Sequence, residues 1–163
     1  MRRVIVGLGI AAALGGNALA QATVVAPPIA PLLASADPAA GEAYAKKVCA
    51  ACHTLNEGGK AIIGPNLYDV VGGPHAHMTS FNYSDALKGK QGPWTYDELF
   101  AWLTKPDAYA PGTRMAFPGI KNEKLRLDVI AYLRTLSHAP ASLPGPEDQV
   151  PTSAQTGAAR SAP

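Results

Sequence analysis

The chain has 163 residues, enough for one domain with a core and some additional chain. Its 14 basic and 12 acidic residues give a formal net charge of +2, and removing Arg2 and Arg3 makes the two signs equal. Nothing in that balance points to nucleic acid or another polyanion as a partner.

The first stretch reads as an export signal. Arg2 and Arg3 precede a run from Val4 to Leu14 that is apolar or glycine, and Ala18-Leu19-Ala20 is a small-residue cleavage pattern. Residues 1–20 are therefore expected to be removed outside the cytoplasm, which gives a periplasmic location. An uncleaved membrane anchor is the alternative. A spanning helix needs about 18 apolar residues, and Gly15-Gly16-Asn17 interrupts the run. Residues 21–36 hold Pro27, Pro28 and Pro31 among alanines and are expected to form an extended linker.

The domain is expected over 37–138. Asp37 can cap a helix with Pro38 in its first turn, running from about Ala39 to Ala51 with Ala40, Tyr44, Val48 and Cys52 inward. Residues 54–66 read as loop. Leu67 to Val71 is a short apolar piece, and Gly72-Gly73-Pro74 breaks the chain. Ser84 to Lys90 can form a short helix. Thr95 and Glu98 form a capping-box pattern for the next helix, whose stripe is Leu99, Trp102 and Leu103 and which Pro106 stops. Asn122 caps a last helix to about Leu136, with Leu125, Val129, Tyr132 and Leu133 on one face. Residues 139–163 are rich in Pro, Ala, Ser and Gly and are expected to be a disordered tail.

The chemistry centres on Cys49-Ala50-Ala51-Cys52-His53. This C-x-x-C-H run is the attachment signature of a c-type haem. Two thiols three residues apart share a helical face and can add to the vinyl groups of one porphyrin, while His53 reaches the iron as a proximal ligand. A thioredoxin-like pair or half a zinc site is the competing reading of C-x-x-C alone. These are the chain's two cysteines. Export would oxidise them to a disulfide, strained at this spacing, unless a cofactor takes them.

The second axial position of such an iron can be vacant, a histidine or a methionine. Met115 lies between Pro111-Gly112 and Pro118-Gly119, turns that can hold a neutral sulfur in place, and it is the expected ligand. Met78 is expected to fill core or lie on the surface. His75 and His77 are expected to be solvated loop residues, with a transition-metal site or replacement of Met115 as the alternative.

The blocks Cys49-Ala50-Ala51-Cys52-His53-Thr54-Leu55, Gly64-Pro65-Asn66-Leu67, Phe81-Asn82-Tyr83-Ser84-Asp85-Ala86, Trp94, Pro111-Gly112-Thr113-Arg114-Met115-Ala116-Phe117 and Asp128-Val129-Ile130-Ala131-Tyr132-Leu133 follow one another in this order. Over about 37–137 the chain resembles a class I cytochrome c, close to the mitochondrial and alpha-proteobacterial soluble carriers. The resemblance implies a small all-α fold of three to five helices around one haem c, bound covalently through Cys49 and Cys52. It implies His53 and Met115 as iron ligands, the Pro65 carbonyl as acceptor from His53, Tyr83 and Trp94 at a haem propionate, Thr113 near it, and Phe117 at the haem edge. It also implies that the first helix crosses the last near Gly41.

The resemblance further implies a monomeric one-electron carrier, not an enzyme. Its donor would be a quinol–cytochrome c reductase complex and its acceptor a terminal oxidase or a reaction centre. Lys46, Lys47, Lys60, Lys105, Arg114 and Lys121 would steer acidic partners. Three positions depart from the pattern. Ala45 stands where an aromatic is usual, with Tyr44 one step earlier. Trp102 stands where a tyrosine bonds the methionine sulfur, and Gly73 where an arginine lies near the propionates. The competing function is a haem enzyme, or a gas- or peroxide-reactive haem with a displaceable sixth ligand.

Overall fold

The capping and periodicity signals produce helices close to where the sequence places them. The computed structural model describes residues 29–140 and 142–143. In chain order its α-helices are α1 (Ala30–Leu33), α2 (Pro38–Lys47), α3 (Asp85–Lys88), α4 (Tyr96–Thr104), α5 (Pro106–Tyr109) and α6 (Glu123–Thr135), with a 3-10 turn over Cys49–Ala51. Among the described residues there is no strand, and one isolated bridge joins Pro74 to Pro93. The small all-α fold is as expected.

Local chemistry sets the helix starts. The Asp37 carboxylate accepts the N–H groups of Ala39 and Ala40. Thr95 and Glu98 close a reciprocal capping box, and Asn122 accepts from the Leu125 N–H. Each cap satisfies donors that a helix start leaves unpaired.

Helices α2 and α6 cross at Gly41. A Cβ there would stand 2.0 Å from the Asp128 carbonyl oxygen, so the two backbones touch. The Asp128 carboxylate, itself buried, accepts the Asp37 N–H at 2.8 Å and the Lys124 ammonium at 2.9 Å. One residue of α6 thus holds both the cap and the crossing. This contact also corrects the expected face of α2. The inward positions are Gly41 and Ala45, the latter fully buried, one step on from Ala40 and Tyr44. Close backbone approach selects the smallest side chains for the seam, and one step is a rotation of about 100°. Tyr44 packs at its side, half-buried.

Three other expectations change. The helix of residues 39–51 ends at Lys47 and tightens into the 3-10 turn. Pro106 stops α4 and also starts α5, at a position where its missing N–H is unneeded. Ile29 to Leu33 is a helical turn in the core, not extended linker: Ile29, Ala30 and Leu33 are buried, and the Ile29 N–H bonds Asp97 Oδ1 at 2.8 Å. The expected signal, most of the linker and most of the tail lie outside the described residues. Leu143, in the expected tail, packs against the core.

Candidate functional site

The 3-10 turn brings the two cysteines together. With three residues per turn, side chains at i and i+3 eclipse, so Cys49 and Cys52 stand on one edge more nearly in line than an α-helix allows. Both are free thiols facing one cavity. Burial pushes the Cys49 thiol up to about 11, and the neighbouring Cys52 adds to the rise. A thiol held protonated is the reverse of the low-pKa thiolate that a redox C-x-x-C pair uses.

His53 follows, and its ring is fixed on two sides. Nδ1 lies 2.7 Å from the Pro65 carbonyl oxygen, an acceptor only, so Nδ1 carries the proton and Nε2 keeps its lone pair. The ring seats over Gly64, where a Cβ would stand 2.4 Å from His53 Cε1. Burial holds the imidazole below its ordinary pKa, against the opposing pull of the Pro65 bond. A neutral ring with one oriented lone pair is a metal ligand in waiting.

The loop after α5 supplies the sulfur. The Thr113 N–H bonds the Ala110 carbonyl, the Met115 N–H bonds Thr113 Oγ1 at 3.3 Å, and the Ile120 N–H returns the chain to Leu103. Met115 and Phe117 are half-buried against the core. The cavity that these segments enclose measures about 730 Å³. It is lined by Cys49, Cys52, His53, Pro65, Tyr83, Trp94, Trp102, Thr113, Met115 and Phe117, every site residue expected from the sequence. Its volume suits a cofactor rather than a solvent cleft. Met78 packs against the core outside that lining.

A family model described as cytochrome c matches residues 38–137. The chain belongs to the cytochrome c family. A cytochrome c homolog of Bradyrhizobium diazoefficiens is 48% identical over 118 residues, covering 72% of this chain and 64% of that protein. One from Rickettsia conorii is 44% identical over 122 residues, covering 75% and 67%. A cytochrome c of Theileria annulata is 45% identical over 101 residues, covering 62% and 87%. The chain thus spans less than two thirds of the Bradyrhizobium relative's length.

The cofactor of this cytochrome c family member is a covalent c-type haem, and the spacing of Cys49 and Cys52 fits it. A test of fit comes from the donor set: two thiols, an imidazole with its lone pair free and a thioether share one lining, with Tyr83, Ser84 and Trp94 as polar groups beside them. The largely apolar remainder of the lining suits the porphyrin face.

The two loop histidines correct the sequence expectation. His75 is buried, with Nδ1 3.0 Å from the Gly92 carbonyl oxygen and Nε2 2.9 Å from the Tyr109 hydroxyl. His77 is half-buried: Nε2–H donates to the Asn66 carbonyl at 3.0 Å, and Nδ1 accepts from the Tyr83 hydroxyl at 3.4 Å. Both line the cavity. They are not a solvated pair, and no group of three or more His, Cys, Asp or Glu that could hold a metal occurs among the described residues. The chain just before His75 pairs with Trp94, the Gly72 N–H with its carbonyl and its N–H with the Gly73 carbonyl, which lays the loop against the core. The turn that the Gly73 N–H closes on the Val70 carbonyl leaves no room for a side chain at Gly73, where a Cβ would meet the Asp69 carbonyl oxygen at 2.6 Å. Trp102 is buried against the rings of Trp94 and Tyr109.

Proposed function

We propose that this cytochrome c is an exported one-electron carrier with a closed, six-coordinate iron. The observation that carries the reading is the Pro65-locked ring of His53 on the same cavity as Met115. Haem iron, when bound, supplies the one-electron chemistry. Cys49 and Cys52 would hold the group by thioether bonds. His53 Nε2 would bind its iron, oriented and made more basic by the Nδ1–H bond to Pro65. The Met115 thioether would be the second ligand from the chain, a neutral sulfur that would favour the ferrous state and raise the potential. Trp94 and Tyr83, both buried, line the polar end together with Ser84 and Thr113. With both axial positions filled by the chain, small molecules are kept from the metal, so the site passes electrons and does no catalysis.

The periplasmic location rests on the export pattern of residues 1–20. No helix among the described residues is long and apolar enough to cross a membrane. The proposed donor is a quinol–cytochrome c reductase complex and the proposed acceptor a terminal oxidase or reaction centre. The supporting surface lies near the cavity. Ile63, 76% exposed, lines its rim, and Lys60, Arg114 and Lys121 are exposed with no ion pair among the described residues. Lys46 is tied to Glu42 at 2.7 Å and Lys105 to Asp107 at 3.6 Å, so they contribute less.

The experiment is voltammetry on protein that keeps its haem stain under denaturing, reducing conditions. The reading requires a covalent stain and a reversible one-electron wave. A protein without covalent haem, or an irreversible wave, would overturn it. If the basic surface steers acidic partners, transfer to them slows as salt is added.

A further inference from the structure

The hydrogen bonds around His75 accommodate two protonation states. Its side chain is 1% exposed. Nδ1 faces the Gly92 carbonyl, which only accepts, so Nδ1 is protonated. Nε2 faces the Tyr109 hydroxyl at 2.9 Å. The same hydroxyl lies 3.3 Å from Glu98 Oε1, and that oxygen is 3.6 Å from Nε2. If the ring is neutral, Tyr109 donates its one proton to Nε2, and Glu98, a third exposed, keeps its bonds to Thr95 and meets water. If the ring is an imidazolium, all three close at once: Nδ1–H to Gly92, Nε2–H to Tyr109, and Tyr109 O–H to Glu98. Both states leave the buried ring with a partner on each nitrogen, so a proton can enter or leave without a change of neighbours.

The chain of bonds links water to the cavity. Glu98 is 33% exposed at one end. At the other, the His75 ring lies 4.2 Å, centroid to centroid, from the Trp94 indole, and both rings line the haem cavity. Burial and the adjacent Glu98 push the Tyr109 phenol well above its ordinary pKa, so it relays a proton without losing one. The other titratable and charged groups facing this one are Lys90, with its ammonium 4.0 Å over the Tyr109 ring, and, around the cavity, Arg114 and His77. Lys90 and Arg114 oppose a charged His75; Glu98 favours it.

We propose that His75 is a redox-linked proton site, taking up a proton as the iron is reduced and releasing it on oxidation. This rests on the electron-carrier reading. On reduction the donor delivers one electron to ferric iron. One proton leaves water at Glu98, is handed on through the Tyr109 hydroxyl, and ends on His75 Nε2. The site then gains one electron and one proton, and its net charge is unchanged. A cation beside the cavity stabilises the less positive, ferrous iron, so the reduced protein holds the proton more tightly. In a poorly solvated site that coupling is weakly screened.

The test is the reduction potential of the full-length holoprotein from about pH 5 to 9, the range in which a histidine titrates. The potential should fall with rising pH across the window in which the two oxidation states differ in bound proton. A tenfold difference in proton affinity between those states is about 59 mV for a one-electron couple. His75→Asn should flatten the window. Tyr109→Phe and Glu98→Gln should each move it to lower pH, because each weakens proton binding while leaving the ring in place. A wild-type potential that is flat with pH overturns the proposal and leaves a reversible carrier standing. A slope that survives His75→Asn overturns it in favour of the haem carboxylates or His77. If His75→Asn does not fold, the other two variants decide, and a window unmoved in both overturns it. Absence of any reversible wave overturns the carrier reading and this inference together.

Discussion

His53 and Pro65 are joined by a 2.7 Å hydrogen bond, and Gly64 between Cys52 and that carbonyl has no side chain because the imidazole occupies the space. Ligand orientation is thereby built from backbone. The Gly64 N–H bonds the Cys52 carbonyl at 2.7 Å, which ties the haem-binding turn to the carbonyl that orients its histidine.

Gly64→Ala should therefore damage the site before it damages the fold. The new methyl would meet the ring at 2.4 Å, well inside van der Waals contact, and the ring must tilt. Overpacking of this kind costs about 1–3 kcal/mol. A lower potential and a high-spin component in the visible spectrum are expected. An unchanged spectrum and potential would show that the ring has room to move.

Gly41→Ala should act on the fold alone. Its methyl would stand 2.0 Å from the Asp128 carbonyl oxygen, so α2 and α6 must separate. The expected loss is at the upper end of the overpacking range, about 3 kcal/mol, because backbone rather than a flexible side chain is the obstacle. Urea unfolding of the holoprotein measures it. The potential of the folded fraction should stay near wild type.

Glu98 should give the protein an acid-sensitive component of stability. Burial raises its carboxyl, but hydrogen bonds from the Thr95 backbone and hydroxyl, together with His75 and Tyr109, outweigh it and hold the pKa below its ordinary 4.5. A depressed carboxylate contributes in full above its unfolded pKa and loses that contribution as pH falls through the folded value. The stability difference between wild type and Glu98→Gln should shrink as pH falls below about 5. A difference that stays constant down to about pH 3 would contradict the assignment.

What the sequence disclosed follows the range of the interactions. Asp37, Thr95 and Asn122 act on backbone two or three residues away, so their caps were legible. Cys49 to His53, Gly64-Pro65 and the turns around Met115 are each short segments with a local signal, and the structure brings all three to one cavity. His75 was misjudged because its partners, Gly92 and Tyr109, lie 17 and 34 residues on. Ile29 is similar: only Asp97, 68 residues away, pairs its N–H. Asp69 takes a positive φ of 57° while its N–H bonds the Leu136 carbonyl and its carboxylate accepts the His138 N–H. No local pattern announces that clamp. The inward face of α2 shifted by one residue because a backbone crossing, not hydrophobicity, chose it.

The central claim is that the chain itself fills both axial positions, with His53 and Met115. The direct measurement is the visible spectrum of the reduced protein before and after carbon monoxide, in wild type and in Met115→Ala. The wild-type spectrum is expected to be unchanged by the gas. Met115→Ala is expected to lose the sulfur–iron band of the oxidised protein and, once reduced, to bind carbon monoxide promptly. Rapid stoichiometric binding by the wild type at neutral pH, or a sulfur–iron band that persists in Met115→Ala, would contradict it.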